Sequence, residues 1–230
     1  DFCLSRGLGD VYKRQFLWSP RLHQPLQVAF KRQFLDTAQH YAELGAHGEQ
    51  FAALLTYAAL NPANTYSEQD YRTAFGVLPR EGLEESAKAL VQALEASGEQ
   101  REEYWANRIQ PFWIGIWPRS REVTSGRITD SFVGLCIAAR NQFTAALALI
   151  RDWLQPIEYA GHVVIKLHKS GMPRLFPEDT LDLLSVIIDN NSRVPDELMQ
   201  CLTAISHAAP ALQQDHRYRR LEEYFRRQRG

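Results

Sequence analysis

The chain has 230 residues, of which 45% are hydrophobic and 23% charged, and a formal net charge of -1. That balance supports one large or two small globular domains with a sizeable core, and it excludes an overall basic field that would draw the chain to nucleic acid or membrane. Three scattered cysteines (Cys3, Cys136 and Cys201) exclude a disulfide framework, and with no bilayer-length apolar run and no signal-like leader the expected location is the cytoplasm.

Residues 1–15 read as a leader that does not belong to the fold. Asp10 to Gln15 spell DVYKRQ, the hexapeptide encoded by gatgtgtataagagacag. It resembles translated read-through of a transposon mosaic-end sequencing adapter, and such segments are set aside before a fold is read. The string KRQFL also occurs twice, at Lys13–Leu17 and Lys31–Leu35.

From residue 20 onward the apolar spacing is helical. Leu26, Phe30, Phe34, Thr37, Tyr41 and Leu44 form a first stripe, closed by Gly45. Phe51, Leu54, Leu55, Ala58 and Ala59 form a second, stopped by Asn61-Pro62. Ser67 is a good N-cap for a short helix over Glu68 to Phe75. Leu83, Ala87, Leu90, Val91 and Leu94 come next, with Gly98 just past the last turn, where a left-handed residue is needed. An aromatic segment runs from Glu99 to Trp117. Pro111 predicts a kink or break inside it, because proline removes a backbone donor and clashes with the preceding turn. Phe132, Leu135, Cys136 and Ala139 mark the next helix. Phe143, Leu147, Ile150 and Leu154 mark another, ending at Gln155-Pro156. Val163, Val164, Leu167 and His168 end at Gly171. Pro177 stands at a first helical position, ahead of Leu181, Leu183, Leu184, Val186, Ile187 and Ile188, a stripe broad enough to be buried on most sides. Leu198, Cys201, Leu202, Ile205 and Ala209, then Tyr218, Leu221, Tyr224 and Phe225, complete the chain. No hairpin dipeptide appears, and the one β-branched run, Val163 to Ile165, lies inside a helical pattern. The fold class expected is all-α.

The second half carries a period. The helix starts at Phe143 and Pro177 differ by 34 positions (177 − 143), as do those at Gly161 and Pro195 (195 − 161). One unit further back falls on Ile109. This spacing predicts stacked helical hairpins, an α-solenoid-like array in which each hairpin buries the apolar face of the last. The expected organisation is a helical segment over 16–97 and a repeat region over 98–230.

Catalytic motifs are missing. None of the seven histidines sits in a His-Glu-x-x-His string, and no Cys-x-x-Cys accompanies them, so no metal is implied. There is no Gly-x-Ser-x-Gly elbow and no phosphate loop. Cys136 and Cys201 lie on apolar helix faces, as small buried hydrophobes do. The carboxylate pairs Glu84-Glu85 and Glu102-Glu103 diverge by about 100° on a helix. No enzyme activity and no cofactor are expected.

Two features remain. The aromatic cluster of Tyr104, Trp105, Phe112, Trp113 and Trp117 is followed by Arg119, Arg121 and Arg127. Adjacent Trp and Arg suit an interface hot spot, so Trp113, Trp117, Arg119 and Arg127 are candidates for a protein interface, with a packed core rim as the alternative. The C-terminal arginines (Arg217, Arg219, Arg220, Arg226, Arg227 and Arg229) suit a polar end cap, with phosphate contacts to nucleic acid as the lesser reading.

RIQPFWIGIWPRSR (Arg108 to Arg121), DWLQPIEY (Asp152 to Tyr159), FPEDTLDLLSVIID (Phe176 to Asp189) and DHRYRRLEEY (Asp215 to Tyr224) resemble an uncharacterised helical family. That family forms the C-terminal region of large bacterial sirtuin-like proteins linked to phage defence. The resemblance covers roughly half the chain and implies a sensing or regulatory region. NAD consumption would belong to an upstream domain, and no catalytic residue carries over. The partner implied is a protein or an upstream domain of the same polypeptide. A structural spacer or oligomerisation domain is the other reading.

Overall fold

A computed structural model describes residues 35–61, 66–118, 125–190, 192–193 and 195–229. The leader and the first apolar stripe up to Phe34 lie outside these residues. Among the described residues the chain is mostly helical and no strand forms, so the fold is all-α. Twelve α-helices are present among them: α1 Gly48–Leu60, α2 Glu68–Val77, α3 Arg80–Ala96, α4 Arg101–Tyr104, α5 Gln110–Gly115, α6 Gly126–Ala138, α7 Phe143–Ile150, α8 Gly161–Ser170, α9 Met172–Leu175, α10 Pro177–Ile187, α11 Glu197–Ala208 and α12 His216–Arg229.

The chain divides into two compact units. The first takes the described residues up to Leu90 and 106–118, and the second takes 91–105 and 125 onward. The division falls inside α3, and 106–118 return to the first unit.

In the first unit, Gly45 adopts φ 50°, ψ -126° and breaks the tight helical turns of Tyr41–His47, at the position where the sequence predicted a stop. The Tyr41 ring lies against Gly48 and Gly82. A Cβ added at Gly48 would come within 2.8 Å of it and one at Gly82 within 3.1 Å, so the ring would have to shift to admit either. α1 ends at Leu60, as Asn61-Pro62 predicts. Ser67 caps α2 in a full capping box: Asp70 N–H donates to Ser67 Oγ, and Ser67 N–H donates back to the Asp70 carboxylate at 3.0 Å. Leu83, Ala87 and Leu90 of α3 are fully buried at helical spacing.

The break expected at Pro111 takes an unexpected form. The chain widens into a π-helical turn over Trp105–Ile109. Pro111 then stands in the first turn of α5, where its missing donor costs no intrahelical bond.

In the second unit α6 packs on α7 and α8, α8 on α11, α7 on α10, and α10 on both α11 and α12. Leu181, Leu183, Leu184 and Ile187 of α10 have no exposed surface, in line with the broad stripe read from the sequence. Gly171 closes α8 at φ 77°, also as expected. The loops before α8 and α11 pair as extended chain: Ile157 N–H donates to Ile187 O at 2.9 Å, Arg193 N–H donates to Glu158 O, and Tyr159 and Arg193 form an isolated parallel bridge. Among the described residues no single helix is long and apolar enough to cross a membrane.

Arg140 succeeds α6 at φ 52°. A left-handed residue just past a helix end is usually glycine, since a Cβ is strained there. Arg140→Gly is therefore expected to stabilise the chain by about 1 kcal/mol, read as a higher denaturant midpoint at unchanged slope. A lower midpoint would show that the arginine side chain contributes more than its backbone costs.

Candidate functional site

The aromatic cluster is built by a local turn. After α5, Ile116 N–H and Trp117 N–H both donate to Phe112 O, at 2.8 and 3.1 Å, which folds Trp117 back over its own helix. The Trp113 and Trp117 rings stack at 5.2 Å with 10° between planes. Phe112 meets Phe75 of α2 edge-on at 5.1 Å. Trp113 and Trp117 are 4% and 2% exposed. Both indoles lie in the core of the first unit, and a partner reaches them only if that unit opens. The packed alternative describes these two rings. Arg119 lies outside the described residues. Arg127 is exposed in the first turn of α6, in the second unit, beside the Ser125 cap that accepts from Ile128 N–H at 3.1 Å. Trp113 and Trp117 are thus buried within the first unit, and Arg127 is exposed on the second.

The first unit holds a cleft of about 200 Å³ between the end of α1, the start of α2 and the π turn with α5. Tyr66, Tyr71, Asn107, Arg108, Pro111 and Phe112 line it. Tyr66 and Tyr71 meet edge-on at 6.1 Å, and burial raises the pKa of both phenols above the usual tyrosine value, so both stay neutral. Glu68 reaches the rim but is engaged: Arg72 Nη2 donates to it at 2.7 Å, while Arg72 Nε donates to Gly115 O at 2.8 Å.

The second unit carries a polar ladder across three helices. Thr144 of α7 donates to Asp179 of α10 at 2.5 Å. Arg151 clasps Asp182 of α10 with two bonds of 2.7 and 2.8 Å. Arg217 of α12 reaches the same Asp182 at 3.2 Å and holds Asp215 through a second fork. Each C-terminal arginine is engaged. Arg219 donates to Gln214, and Arg220 donates to Ser185 O at 2.6 Å. Arg226 pairs with Glu222, Arg227 with Glu223 and Arg229 with Asp196. Tyr224 and Gln228 both donate to Ser192 O. Arg226, Arg227 and Arg229 remain largely exposed in these pairs, whereas Arg217 is mostly covered.

Hydrogen bonds from the Arg217 side chain and backbone hold the Asp215 carboxyl at about 2, below its ordinary 3.8. A depressed folded-state value means the unfolded chain binds the proton more readily. The contribution of Asp215 is therefore complete above about pH 4 and is lost as pH falls toward 2. Asp215→Asn is expected to flatten the acid side of the stability profile, measured as denaturant midpoints between pH 5 and 2. An unchanged slope would mean the carboxyl titrates alike in both states.

The remaining chemistry is muted. Burial raises the Cys136 thiol far above its ordinary value and pushes Cys201 up to about 12. Both are poor nucleophiles, since the thiolate is the reactive form. Among the described residues no group of three or more His, Cys, Asp or Glu is placed to hold a metal ion. His162 faces Asp130 at 3.2 Å on the surface. Sequence reasoning missed the cleft and the Asp182 junction. The signal for the cleft was the 3- and 4-residue spacing of Asn107, Arg108, Pro111 and Phe112. The signal for the junction was the separation of Asp182 and Arg217 by 35 residues, close to the period.

Compared with models of protein families, with curated proteins and with solved structures, the chain matches none.

Proposed function

We propose that this chain is a non-catalytic helical binding or regulatory module whose second unit is a stack of helical hairpins, α-solenoid-like in plan. In this reading α6, α8 and α11 form one row, and α7, α10 and α12 form the other. The observation that carries it is a recurring contact offset. Thr144–Asp179, Arg151–Asp182, Tyr159–Arg193, Asp182–Arg217 and Ser185–Arg220 join residues 31 to 35 positions apart. An offset of that size is what one repeat packed on the next would give. α12 fits a terminal cap: its inner Tyr218 and Leu221 are buried, while Arg219, Glu223, Arg226 and Arg227 face solvent. Such arrays serve as extended recognition surfaces.

The family resemblance adds the setting: the sensor or control region of a larger bacterial antiphage protein, acting on a protein trigger or on a sirtuin-like domain of the same polypeptide in the cytoplasm. The first test is the upstream reading frame from a clean assembly, which should encode that domain. The second is to titrate the purified chain into that domain and monitor NAD consumption. A defined complex with altered turnover is expected. Failure to associate, with turnover unaffected, would overturn the regulatory reading. A discrete homo-oligomer in light scattering that engages no partner would favour a spacer instead.

A further inference from the structure

We propose that the cleft of the first unit is a binding site for a small organic carboxylate with a flat apolar body. The inference is independent of what the second unit recognises. Arg108 is half-buried on the cleft wall, and neither an ion pair nor a hydrogen bond engages it among the described residues. A cation withdrawn in part from water is stabilised by a counter-charge, and a guanidinium suits the planar fork of a carboxylate. Glu68, the acid of the same cleft, does not supply that charge. Its carboxylate is held by Arg72 and closes over Gly115, where an added Cβ would sit 2.6 Å from Glu68 Cδ.

The rest of the lining fits the body of such a ligand. Pro111 and the ring of Phe112 are apolar. Tyr66 adds an aromatic face, backed edge-on by Tyr71. The Asn107 amide stands one residue from Arg108 on the same wall and adds a second donor. The π turn matters to this arrangement. Its extra residue rotates the downstream helix α5 by about 100° relative to an unbroken helix, and so sets the direction in which Pro111 and Phe112 meet α2. At about 200 Å³ the cleft is below the roughly 300–1,000 Å³ of sites for drug-sized ligands. The expected occupant is thus a single-ring acid rather than a nucleotide.

The test uses the full chain, with phenylacetate as probe and calorimetry at neutral pH as readout. Saturable binding at one site per chain, with a millimolar Kd, is expected. The neutral isostere phenylacetamide should bind at least about tenfold more weakly, the scale of a lost charge-assisted hydrogen bond. Arg108→Gln should erase that preference while circular dichroism shows the helices intact, and Arg108→Lys should retain part of it. Equal binding of acid and amide, no saturable binding of phenylacetate, or unchanged affinity in Arg108→Gln would overturn the proposal. Inorganic phosphate binding as tightly as phenylacetate would also overturn it, by reducing the cleft to a general anion contact.

Discussion

Trp117→Ala should lower stability by about 3–5 kcal/mol, the usual cost of emptying a large aromatic site in a core. Trp117 is 2% exposed, stacks on Trp113 at 5.2 Å and lies 6.4 Å from Phe112. Removing it takes away both the buried area and the stacking geometry, which adds about 0.5–1.5 kcal/mol beyond area. Since domains of this size are stable by roughly 5–15 kcal/mol, the loss is a large share of the total. Denaturant unfolding monitored by circular dichroism measures it. Trp117→Phe, which keeps an aromatic ring, should lose much less. A wild-type midpoint in Trp117→Ala would show that the indole is not part of the packed core and would restore it as an interface candidate.

Asp182→Ala is the second large effect, expected to cost about 1–2 kcal/mol, because it removes both the fork to Arg151 and the bond to Arg217, which keeps its fork to Asp215. Asp182 is 19% exposed and so is partly shielded from water. Its partners differ: Arg217 is 21% exposed and Arg151 is 54% exposed. The Arg217→Ala loss should therefore exceed that of Arg151→Ala, because a well-exposed pair is weakened by solvent and salt. A double-mutant cycle between Asp182 and Arg217 should return a coupling that shrinks only modestly at high salt. Zero coupling would mean that the Asp182–Arg217 pair adds nothing to the packing of α10 on α12, which Arg220 also bridges through Ser185 O.

The helix stops were legible because their causes are local. Ser67 caps through atoms three residues away, Gly45, Gly98 and Gly171 take positive φ, and Pro177 starts a helix at the position its ring favours. The aromatic segment was not legible in the same way. Trp113 and Trp117 read equally as a hot spot or as core, since composition does not say which surfaces close over them. Arg140 was also hidden. A positive φ is usually announced by glycine or asparagine, and here an arginine is held there by the α6–α7 connection. The cleft brings together residues from α1, α2 and the segment after α4, which no single window of sequence contains.

What the sequence determined alone is the helical class, most helix ends and a spacing near 34 residues, because hydrogen bonds within a helix and side chains three or four residues apart respond to near neighbours. Only the tertiary structure decided that the two tryptophans are buried, that residues 106–118 rejoin the first unit, and that Arg217, Arg229 and Arg220 are bound to Asp182, Asp196 and the Ser185 carbonyl. Burial and ion pairing depend on atoms brought together from distant positions. Their energies appear only once the helices have packed.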